Sequence, residues 1–142
     1  MAVSFHTDGT VMPSIRKMPV KRWIRTVVES YGKVLGDIAY IFCTDEKIID
    51  INRQFLDHDY YTDIITFDYS AADAVSGDLF ISLDTVRSNS AKFGISFHDE
   101  LHRVMVHGVL HLCGFGDKSE AEQLRMREAE NIALRAYEME HN

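Results

Sequence analysis

The chain has 142 residues, 46% of them apolar and 26% charged, enough apolar content to bury a core and too much to remain disordered. No apolar run approaches the ~18 residues of a membrane span, and MAVSFHTDGTVMPSIRK has no basic start followed by an apolar core, so a cytoplasmic protein with no membrane partner is expected. The net charge of −7 argues against a protein coated in nucleic acid.

Pro19 is placed to open a helix, because its missing N–H costs nothing in the first turn. Val20, Trp23, Ile24, Val27, Val28 and Tyr31 follow at helical spacing. Basic residues lie between them. Residues 1–33 hold Arg16, Lys17, Lys21, Arg22, Arg25 and Lys33 against Asp8 and Glu29, a local +4 on a chain whose remainder is −11. Such a face can guide a polyanion to one side, and it is equally compatible with a solvated helix.

DIAYIFC at 37–43 reads as a strand rich in β-formers. Thr44 then caps a short helix with Ile48, Ile51 and Phe55 on one face. A polar loop from Asp57 to Tyr61 leads into a strand near 63–69, and GDLFIS at 77–82 reads as another. Asp84 is placed to cap a helix that Gly94 closes. Ser96 with Asp99 resembles a capping arrangement for a helix over about 98–113, carrying Leu101, Val104, Met105, Leu110 and Leu112 and ended by Gly114. Ser119-x-x-Glu122 is a capping-box signature for a last helix of roughly twenty residues. Helices outnumber strands and no linker divides the chain, so residues 1–142 read as a single α+β domain, a small mixed sheet covered by helices. Cys43 and Cys113 form no disulfide framework and read as small buried hydrophobes.

His107 and His111 lie four apart in the predicted helix, so both imidazoles leave one face. Gly114 lets the chain turn back, and Asp117 follows at a distance where a returning loop brings a third ligand. The pattern H-x3-H-x2-G-x2-D keeps the metal-binding logic of the zincin helix, H-E-x-x-H-x-x-G-x-x-H. It lacks the general-base glutamate, whose place Gly108 takes. Three protein ligands leave an open position, the mark of a catalytic ion rather than a structural one. Two histidines and a carboxylate also describe non-haem iron sites, which usually stand on β-scaffolds. Arg103, one turn before His107, suits a phosphate beside a metal, or else a surface ion pair with Asp99 or Glu100. His102 is expected to be exposed and His58 to lie in the polar loop; neither is counted as a ligand.

HGVLHLCGFGDK at 107–118 closely resembles the signature of the YbeY family, the metal-dependent endoribonucleases of ribosomal RNA maturation. INRQFLDHDYYTDIITFDY at 51–69, GDLFIS at 77–82 and ELHRVMVHG at 100–108 agree in order, and the similarity covers roughly residues 36–135. The resemblance implies a four-stranded mixed sheet with about five helices, among them a zincin-like metal-binding helix. It also implies one divalent ion, usually zinc, single-strand-specific RNA cleavage and a role in ribosome assembly.

Two departures stand out. The family signature ends Asp-His, where this chain has Gly116 and Asp117, which makes the expected ligand set His107, His111 and Asp117. An arginine common in the family before the polar loop is Leu56 here, and Arg53 and Arg103 are the candidates to replace it. The expected function is therefore a metal-dependent endoribonuclease with Arg103 as catalytic assistant and Arg53, Lys21, Arg22 and Arg25 as RNA contacts. Its expected partners are single-stranded ribosomal RNA and the small ribosomal subunit or a protein bound to it. The rivals are a zincin-like metallopeptidase and a ribosome-assembly factor whose metal is structural.

Overall fold

Val3, Phe5 and Thr7 alternate along a strand that the apolar periodicity did not reveal, and this strand starts the sheet. The computed structural model describes residues 2–56 and 62–141. In chain order the elements are β1 (Val3–Thr7), α1 (Lys17–Ser30), β2 (Val34–Cys43), α2 (Asp45–Ile51), a π-helical turn (Asn52–Leu56), β3 (Ile64–Asp68), β4 (Ala74–Ser82), α3 (Leu83–Phe93), α4 (Phe97–Leu112) and α5 (Glu120–His141). The sheet order is β1-β2-β4-β3, with β1 and β4 parallel to β2 and β3 antiparallel to β4. Among the described residues this is the mixed four-stranded sheet with five α-helices of an α+β protein. Among the described residues no helix is long and apolar enough to cross a membrane.

The helix ends follow local chemistry, with three corrections. Thr44 Oγ1 accepts from Lys47 N, Ser96 Oγ accepts from Asp99 N, and Gly94 closes α3 in the left-handed region at φ 68°. Ser119 Oγ accepts from Glu122 N while Glu122 Oε1 accepts from Ser119 N, the reciprocal pair of a capping box. α1 begins at Lys17, so Pro19 stands inside the first turn, where its missing N–H is equally harmless. Ser82, not Asp84, caps α3; Asp84 instead accepts from Asp45 N with Oδ2. The π-helical turn after α2 changes the phase of the helix, so Phe55 leaves the Ile48 and Ile51 face and sits exposed, edge-on to Phe67. The expected loop over 57–61, with His58, lies outside the described residues.

α4 is the central helix. Leu101, Val104, Met105, Val106, Val109 and Leu110 are all buried, which leaves it a single polar stripe. Tyr40 Oη donates to Met105 O at 2.8 Å, and Trp23 Nε1 donates to Ala133 O at 2.8 Å, tying α4 to β2 and α1 to α5. Gly108 is where α4 meets the sheet: a Cβ there would stand 2.8 Å from Ile64 Cδ1 and 3.2 Å from both methyls of Leu79. His102 is not exposed as expected but packs against the rings of Trp23 and Tyr137, and burial pushes its pKa down. Cys43 is buried and Cys113 partly so, and burial pushes their thiols up to about 12 and about 11.

Candidate metal centre

The polar stripe of α4 faces a cavity of about 570 Å³, walled by α3, α5 and the β3 edge of the sheet. Arg103, His107 and His111 occupy the stripe, as the spacing predicts. The two imidazoles stand edge to face with centroids 5.3 Å apart. Gly114, at φ 107°, turns the chain back after α4. Phe115 then donates its N–H to Leu110 O and packs edge-on against Tyr31. That anchored return carries Asp117 to the histidines. Its Oδ2 lies 3.2 Å from His111 Nε2 and 3.4 Å from His107 Nε2. The ligating atoms of all three residues fall within 4.8 Å of one another, a group that could hold a metal ion.

The spacing fits an ion better than a direct bond. Charge-assisted N–H···O contacts close to about 2.7–2.9 Å, whereas two ligand atoms at ~2.0–2.1 Å from one tetrahedral ion stand about 3.3 Å apart. Chemistry agrees. His107 Nδ1 is 2.7 Å from Glu130 Oε2, and an ionised carboxylate can only accept, so Nδ1 carries a proton and, in the neutral ring, Nε2 keeps the lone pair that a metal would use. Gly116 is explained by the same loop: a Cβ there would run into the Glu122 carboxylate, which is held by the capping box.

Glu130 joins two parts of the site. Its Oε1 accepts from Arg103 Nη1 at 2.8 Å, and Arg103 Nη2 donates to Asn131 Oδ1 at 2.9 Å. Arg103 therefore pairs with α5, not with Asp99 or Glu100. Burial alone would raise the Glu130 carboxyl, but the hydrogen bonds from His107 and Arg103 outweigh it and hold the pKa low. Burial alone would lower His107, yet the Glu130 hydrogen bond and charge, with Asp63 and Asp117, raise it. Asp63 and Glu100 also line the cavity; burial raises both carboxyls, and their mutual repulsion raises Glu100 further.

A profile of the family described as Endoribonuclease YbeY matches residues 8–138. The chain belongs to the YbeY family. A YbeY endoribonuclease of Bacteroides thetaiotaomicron is 61% identical over 134 residues, covering 94% of this chain and 98% of that protein. One of Parabacteroides distasonis is 55% identical over 134 residues, covering 94% of both. The solution structure of TM1509 from Thermotoga maritima superposes with a TM-score of 0.70 at 25% identity, over 97% of this chain and 90% of that one. The resemblance read from residues 36–135 thus extends to nearly the whole chain.

Other expected contacts fall elsewhere. Lys21 Nζ lies over the Phe5 ring of β1, at the sheet edge opposite β3, and Arg22 and Arg25 point to solvent on the same helix. None of the three lines the cavity, nor does Arg53. The Leu56 side chain is outside the described residues. Sequence reasoning missed five polar residues that line the cavity: Glu130, Glu100, Asp63, Asn89 and Arg127. Glu130 carries no local signal, because it reads as one more acid on a charged helix. Asp63 and Glu100 lie within the stretches of family likeness, but nothing in their spacing marks them.

Proposed function

We propose that this chain is a metal-dependent endoribonuclease that cuts single-stranded RNA, with His107, His111 and Asp117 holding one divalent ion, zinc in the first instance. The convergence of three ligand atoms on the wall of a polar cavity, in a family described as an endoribonuclease, supports this reading. The ion would supply charge compensation for the scissile phosphate and a more acidic water. The protein's own groups set the stage. Glu130 fixes the tautomer and orientation of His107. Arg103, tied to Glu130 and Asn131 through two of its five N–H donors, keeps Glu130 in place and adds positive charge to the wall where a phosphate would lie. We place the reaction in ribosomal RNA maturation in the cytoplasm, with the small ribosomal subunit or a protein bound to it as partner. Lys21, Arg22 and Arg25 would then dock RNA or ribosome away from the cut, and Arg53 would touch the substrate outside the cavity.

Packing disfavours the peptidase reading. The position after the first histidine, where a zincin carries its base, is Gly108, and a side chain there would press against Ile64 and Leu79. The test is cleavage of a single-stranded RNA by purified protein before and after chelation. Cleavage that chelation abolishes and zinc restores is expected; cleavage indifferent to chelation would overturn the metal-dependent reading.

A further inference from the structure

Two glutamates in the cavity are equally buried and very differently treated. Glu130 is 5% exposed and its carboxylate is bonded on both oxygens, to His107 and Arg103. Glu100 is 4% exposed and lines the same cavity, yet among the described residues nothing hydrogen-bonds or ion-pairs with its carboxyl. A buried carboxyl kept for stability alone is satisfied by the fold, since an unpaired one carries its full desolvation cost. Only the more distant charges of Arg103 and Arg127 offset the burial of the Glu100 carboxyl.

Its surroundings indicate the chemistry of a ligand that this end of the cavity would take. Glu100 precedes His107 by seven residues, two helical turns, so it lies on the same face about 10 Å further along α4. Opposite, on α3, Asn89 and Phe93 stand one turn apart and both line the cavity. No described residue bonds the Asn89 side-chain amide. Phe93 is 57% exposed, with Lys92 Nζ 5.9 Å from its ring centroid. A carboxyl, an amide and an exposed aromatic ring beside a phosphate-processing centre are the elements by which proteins read splayed, unpaired bases. Arg127, its side chain 63% exposed and 3.7 Å from Glu130 Oε1, adds positive charge for an adjoining phosphate.

We propose that this end of the cavity is a base-recognition subsite, in which Glu100 and Asn89 read the edge of one unpaired nucleotide and Phe93 supports its ring. The inference rests on the single-stranded RNA reading above. The favoured ligand is guanine, whose Watson–Crick edge offers the adjacent N1–H and N2–H2 donors to the two oxygens of one carboxylate. Uracil presents two carbonyl acceptors around a single N–H and leaves one oxygen of Glu100 unpaired. Asp63, also a cavity carboxyl, strengthens the preference for a donor-rich edge.

The experiment titrates the metal-loaded protein with labelled hexauridylate and with the same oligomer carrying one central guanosine. Binding is read by fluorescence anisotropy, and cleavage is read as kcat/KM for each oligomer. The wild type should favour the guanosine oligomer by about 5- to 150-fold, the span of one good bidentate base contact. Glu100→Gln turns one acceptor into a donor and should abolish that preference while metal content stays at the wild-type level. Asn89→Ala, on a different helix, should reduce it and serves if the Glu100 variant fails to fold. Equal binding of both oligomers by the wild type, or a preference unchanged in both variants, overturns the subsite. Cleavage without preference removes the subsite and leaves the nuclease reading; preference without cleavage does the reverse. Binding of neither oligomer overturns both.

Discussion

Glu130 Oε2 lies 2.7 Å from His107 Nδ1, so an imidazole on α4 is held in one orientation and one tautomer by a carboxylate from α5. Outer partners of this kind typically govern metal affinity by 10–100-fold. Glu130→Ala should therefore weaken zinc binding by about that factor in a competition titration against a chromogenic chelator. Glu130→Gln, whose amide oxygen can accept the same bond without the charge, should fall between. Wild-type affinity in the alanine variant would mean that His107 needs no support.

Asp117 places a carboxylate where the family signature read in the sequence ends in histidine. A carboxylate would give negative charge to a bound ion where a neutral imidazole does not, and would leave a water on that ion less acidic. Asp117→His should retain metal and shift the activity–pH profile toward lower pH. Lys118→Ala should leave metal content unchanged, since Lys118 contributes only its backbone N–H to the capping box. A pH profile unmoved by Asp117→His would separate Asp117 from the ion.

Gly108 is required by packing. Any side chain there must enter the space of Ile64 Cδ1 and the Leu79 methyls. Alanine gains up to ~1 kcal/mol in helix propensity, which offsets part of that crowding, but a larger group has no such margin. Gly108→Leu should cost about 1–3 kcal/mol in urea unfolding. Gly108→Glu should gain no peptidase activity. Undiminished stability of the leucine variant would contradict the contact.

The basic face of α1 lies away from the cavity, so its effect should be on docking alone. Reversing Lys21, Arg22 and Arg25 to Glu should weaken RNA or ribosome association, and the loss should shrink as salt rises, because phosphate contacts act through counterion release. The variant should keep its metal. Unchanged association at low salt would mark the face as merely solvated.

The boundaries legible in the sequence were those written in local chemistry. Thr44, Gly94, Ser96 and the Ser119–Glu122 pair each satisfy backbone groups within a few residues, so spacing alone reveals them. The His107, His111, Gly114 and Asp117 cluster was legible for the same reason, as one helix face and one turn. What stayed hidden is held together across the chain. β1 pairs in parallel with β2, far away in sequence, and five residues of alternation are too few to declare it. His102 looked exposed because its covering rings, Trp23 and Tyr137, come from α1 and α5. Glu130 and Glu100 acquire their meaning only when α4 and α5 close around the cavity.

The most direct test of the account is the metal content of purified protein by mass spectrometry, compared among the wild type, His107→Ala, His111→Ala and Asp117→Ala. About one divalent ion per chain is expected in the wild type and near-empty sites in all three variants, because two remaining ligands hold a zinc-type ion too weakly to survive purification. Full occupancy in the variants would place the ion elsewhere and contradict the site.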